Sequence, residues 1–172
     1  MTLAALFLAM AYVLPFLTGQ IPEIGSMLCP MHIPVLLCGF FCGPVWGLVV
    51  GIAAPLLRSL TLTMPPIYPT AFCMAFELAV YGGVSGFMYK LLRGKKIYIY
   101  CSLLVAMTAG RMIWGMVMYL CMTIGGNPFT FSAFLTAAVV NALPGIVIQI
   151  ILIPPAVMLL EKSKLFENRG NI

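Results

Sequence analysis

Residues 69–92 read PTAFCMAFELAVYGGVSGFMYKLL, and this stretch decides the fold. A run of about 20 apolar residues is the length a helix needs to cross the ~30 Å hydrocarbon core of a bilayer. Between Pro69 and Lys90 the single charged residue is Glu77. Ala71, Ala75 and Ala79 recur at every fourth position, and Gly82 and Gly86 follow on. Residues four apart share a helix face, and small residues on one face let helix backbones approach closely in lipid. An ionised side chain inside such a span costs about 2.5–3.5 kcal/mol on insertion scales. Glu77 therefore needs a partner or a task.

The rest of the chain agrees with that reading. Its 172 residues are 63% hydrophobic and 8% charged, against roughly a quarter charged in soluble domains. A soluble globular protein is excluded. Apolar runs fall at 3–18, 32–43, 45–60, 70–92, 98–123 and 130–160, which predicts an all-α membrane protein with six transmembrane helices in a single bundle. The whole of 1–172 reads as one domain, with a short tail over 161–172. Runs two and three are short: sixteen helical residues reach about 24 Å, so both are expected to tilt or pack inside the bundle. The first run has no basic segment before it, and it reads as a retained helix and not a cleaved signal.

Basic residues set the expected topology. Lys90, Arg93, Lys95 and Lys96 cluster between runs four and five, and Lys162, Lys164 and Arg169 follow run six. By the positive-inside rule both places are cytoplasmic, and two spans separate them, so the assignments agree. Both termini are then inside, in a multi-pass protein of the cell membrane. The segments 19–31, 61–69 and 124–129 lie outside, and none holds a Lys or Arg. The net charge of +5 reports this topology, with anionic lipid as its partner and no nucleic acid.

Three ionisable residues fall at membrane depth: Arg58, Glu77 and Arg111. Counted along their helices, all three reach the outer half of the bundle, as does Asn141 on run six, while Gln149 lies deeper. Tyr81 follows Glu77 by one turn and Trp114 follows Arg111 by one turn, so each aromatic shares a face with its charged neighbour. His32 opens run two beside Pro30 and Pro34, as a helix-end residue or a ligand contact. Two accounts stay open. Glu77 forms a structural ion pair with Arg111 or Arg58, or these groups line a polar pocket open to the outside, the usual composition of a small-molecule site.

Enzyme readings fail on composition. The chain has no Asp, no HExxH, no GxSxG and no GxxxxGK[ST], so nothing in it hydrolyses nucleotide. The six cysteines, Cys29, Cys38, Cys42, Cys73, Cys101 and Cys121, show no CxxC spacing and read as buried thiols acting as small hydrophobes. No metal site and no cofactor is expected. Gly43, Gly47 and Gly51 form a second small-residue ridge, and Ala5 and Ala9 a weaker one.

The opening TLAALFLAMAYVLPFL, the stretch PMHIPVLLCGFFCGPVWGLVVGIAAPLLRSL at 30–60, the segment at 69–92 and AGRMIWG at 109–115 resemble the substrate-specific S component of energy-coupling factor (ECF) vitamin transporters. The resemblance implies vitamin uptake. A vitamin is bound from outside among the outer halves of spans four to six, and the subunit then docks on a coupling transmembrane protein attached to two ATP-binding subunits. Ala5 and Ala9 match the family's docking face, and Glu77, Tyr81, Arg111, Trp114 and Asn141 fall in its binding spans, with Arg58 and His32 as further candidates. If Arg58, Glu77 and Arg111 all line the pocket, its formal charge is +1. That favours pantothenate, with a pyridine or pyrimidine vitamin stacked on Trp114 or Tyr81 as the next candidate. A non-transporting membrane scaffold of the cell-shape type is the alternative, and a carrier that titrates Glu77 is a third reading.

Overall fold

The computed structural model describes residues 1–17, 30–92, 97–126, 136 and 143–162. Six helices account for nearly all of them: α1 (Thr2–Leu17), α2 (His32–Cys42), α3 (Pro44–Leu62), α4 (Phe72–Leu91), α5 (Ile97–Ile124) and α6 (Leu143–Lys162). No strand occurs among the described residues. A π-helical turn, Ile67–Ala71, leads into α4, with Tyr68 extended at φ −120° and ψ 133°.

Length separates these helices into two groups. Pro44–Leu62, Ile67–Leu91, Ile97–Ile124 and Leu143–Leu160 are long and apolar enough to cross a membrane, whereas Thr2–Phe16 and His32–Cys42 are shorter apolar helices. The protein is accordingly a multi-pass membrane protein. The third run, expected to be short, is a 19-residue helix of about 28 Å. It gains length because Pro44 occupies its first turn, where a missing N–H leaves no hydrogen bond unmade, and because it continues past residue 60. By contrast, the 11 residues of α2 reach about 17 Å. Gly43 separates α2 from α3 at φ 89°, a left-handed value that glycine adopts without a Cβ penalty.

The α4 helix is central, packing against α2, α3 and α5, while α1 lies on α2 and α3, and α6 on α2 and α5. The two small-residue ridges found in the sequence face each other. A Cβ at Gly47 would overlap the backbone of Gly82, one at Gly51 the backbone of Leu78, and one at Gly86 the main chain at Gly39 and Pro44. Gly39 belongs to the same seam and was not anticipated: its missing Cβ would meet the Ser85 hydroxyl and the Gly82 carbonyl.

These contacts fix the ends of the bundle. At one end the Gly43 turn lies beside Lys90, in the last turn of α4. At the other, Tyr68 donates a 2.7 Å hydrogen bond to the Cys121 carbonyl near the end of α5, and Ser59 donates one of 2.6 Å to the Pro65 carbonyl. The second end holds the start of α2 and the start of α4 as well.

Candidate functional site

Near that second end, three helices bring polar groups to one point. Glu77, on the second turn of α4, is 1% exposed. Its Oε1 lies 3.1 Å from an Arg111 guanidinium nitrogen on α5 and 3.6 Å from His32 Nε2 at the start of α2. The Tyr81 hydroxyl bears on the same carboxylate, as its one-turn spacing from Glu77 allows. The Tyr81 ring meets His32 edge to face, with centroids 5.1 Å apart. Such aromatic pairs contribute about 0.5–1.5 kcal/mol beyond their area.

A residue outside the sequence expectations makes this arrangement possible. Gly110 precedes Arg111, and a Cβ there would overlap the Tyr81 ring. The signal for it was an unexplained glycine inside a long helix, which costs about 1 kcal/mol relative to alanine and so asks for a packing reason. Gly110→Ala is expected to push the Tyr81 ring off α5 and away from His32 and Glu77. Tyrosine fluorescence and NMR of the His32 ring check this, and an unchanged environment for both rings refutes it.

Arg58 is placed elsewhere. It is 5% exposed, donates a 3.0 Å hydrogen bond to the Tyr12 carbonyl of α1 and lies 5.1 Å over the Phe16 ring. With the 3.0 Å contact between the Tyr12 and Thr61 hydroxyls, it joins α1 to α3. This corrects the charge expected at the site. With Arg58 engaged by α1 and Arg111 against Glu77, the cluster is balanced and not +1, and the preference for an anionic ligand loses its basis. The expected structural ion pair is present, with Arg111 as the partner.

Trp114, also expected near Arg111's face, packs with Cys73, Met118 and Cys121. Asn141 lies outside the described residues, as do Cys29 and the turn 93–96. Cys101 is exposed on α5, a correction to its expected burial, because no helix among the described residues covers that face of α5. Two further polar groups border the cluster's helices. His32 Nδ1 and Gln149 Oε1 are buried and have no hydrogen-bond partner among the described residues. An unmatched buried polar atom costs about 1–3 kcal/mol. Gln149 drew little weight in the sequence because its depth along α6 was counted as the inner half.

Spanning helices around a buried, charge-balanced polar cluster define an integral membrane protein. The family model for the ECF transporter substrate-specific component matches residues 1–157, and the chain belongs to that family. No curated protein and no solved structure matches the chain. Members of this family are transporter subunits that bind small-molecule substrates and work with a coupling transmembrane protein and ATPases, which selects transport over the scaffold alternative.

Proposed function

We propose that this subunit captures a B vitamin or related micronutrient at the external face of the cell membrane and passes it inward through a coupling transmembrane protein and two ATP-binding subunits. The supporting observation is the meeting of His32, Glu77, Tyr81 and Arg111 from three helices at one buried point. That point lies toward the end of the bundle remote from Lys90. In this reading all six helices span or insert in the membrane, both termini are cytoplasmic, and the cluster faces outward. His32, Glu77, Tyr81, Arg111, Trp114 and Asn141 contact the cargo, and Arg58 braces the wall through α1.

Charge balance bears on the cargo. A neutral cluster in which His32 Nδ1 has no partner among the described residues suits an uncharged ring with its own donors and acceptors. A pyridine or pyrimidine vitamin therefore moves ahead of pantothenate, which keeps second place. Docking uses α1: Ala4, Phe7 and Ala11 are buried while Ala5 and Ala9 are exposed, leaving a flat small-residue strip for a partner helix.

A thermal-shift panel of B vitamins on the purified subunit tests the proposal. Ligand at 100 times its Kd adds about 2.7 kcal/mol of stability. For a chain of this size that is about 5–10 °C in Tm. One strong responder is expected, and no shift across the panel overturns vitamin binding.

A further inference from the structure

The cysteines looked scattered in sequence, yet α4 and α5 bring two of them together with a methionine. Cys73 is fully buried on α4, and Met118 and Cys121, three residues apart on α5, are 9% and 7% exposed. The Cys73 sulfur lies 3.8 Å from the Met118 sulfur, and the Cys121 thiol faces the Cys73 thiol. Trp114, one turn before Met118, closes the same buried cluster. The hydroxyl of Tyr68 holds the Cys121 main chain.

We propose that Cys73, Met118 and Cys121 form a three-sulfur site for a soft monovalent metal ion, Cu(I). Metal–sulfur bonds of about 2.3 Å in a trigonal plane place their sulfurs roughly 4 Å apart. The Cys73 to Met118 separation already has that value. Thiolate and thioether donors together select Cu(I). Zinc takes four nitrogen or sulfur ligands in structural sites, and no group of three His, Cys, Asp or Glu side chains capable of holding a metal occurs among the described residues. Both thiol protons are released to solvent on binding, because cysteine ligates a metal as the thiolate, and Cu(I) with two thiolates and one thioether then carries a net charge of −1. No electron is transferred.

Titration of the reduced, detergent-solubilised full chain with Cu(I), in competition with bathocuproine disulfonate, tests the site. One Cu(I) per chain with all-sulfur coordination by X-ray absorption is expected. Losing a metal ligand should weaken binding by more than about tenfold, the lower range seen for partners one shell further out. Cys73→Ser and Cys121→Ser should therefore lose the ion. Met118→Leu conserves volume and should weaken binding by that factor without lowering the metal-free Tm, which keeps the test sound if a cysteine variant fails to fold. Cys38→Ser/Cys42→Ser should retain the ion. Absence of a retained ion, retention that follows Cys38 and Cys42, or Met118→Leu binding at full strength each overturns the site. Vitamin binding enters none of these measurements, so either proposal can fail alone.

Discussion

Arg111→Met is expected to destabilise the protein by about 3–5 kcal/mol, and adding Glu77→Gln is expected to return most of that loss. The asymmetry follows from burial. Glu77 is 1% exposed, with its Oε1 3.1 Å from the Arg111 guanidinium. Removing the cation strands a buried carboxylate, with the His32 ring 3.6 Å away. Neutralising both partners removes the problem altogether, since a buried pair replaced as a unit is often nearly neutral. Thermal or denaturant unfolding of the two variants in the same detergent decides it. If the double variant is as unstable as the single one, the contact contributes packing and not charge compensation. The same comparison is a control for binding assays: Arg111→Met alone confounds a lost ligand contact with a stranded carboxylate, and the double variant does not.

Neighbouring glycines on α4 should respond in opposite ways to alanine. At Gly82 an added Cβ overlaps the Gly47 backbone, whereas at Gly83 it meets the Leu48 side chain at 3.8 Å, an ordinary contact. Overpacking costs about 1–3 kcal/mol where side chains absorb it. At Gly82 the obstacle is main chain, and Gly39, Gly51 and Gly86 lie on the same seam, so α3 and α4 have to separate along their length. A loss above about 3 kcal/mol is therefore expected for Gly82→Ala. Gly83→Ala is expected to hold or raise Tm, because it removes a glycine that costs about 1 kcal/mol in a helix. Equal melting temperatures for the two variants would refute the backbone contact.

Composition and periodicity determined much of this protein. Long apolar runs demand a lipid solvent, because too few charges exist to cover a soluble surface, and helix lengths follow from backbone groups that must bond internally. Small residues at every fourth position named both ridges, Gly43–Gly47–Gly51 and Ala71–Ala75–Ala79, the second continued by Gly82 and Gly86, since helical spacing alone puts such residues on one face. The cost of charge in lipid marked Glu77, Arg58 and Arg111 as residues needing partners.

Which partners they take was decided only by packing. Helical rise gives the depth of a side chain but not the azimuth of its helix, so Arg58 and Arg111 looked equivalent until α1 claimed the first and Glu77 the second. For the same reason the sequence left open whether His32, at the start of α2, faces Glu77, and whether Cys73 meets Met118 and Cys121 across 45 residues and more of chain. Contacts between distant segments leave no periodic trace, because each helix turns its face according to every neighbour at once.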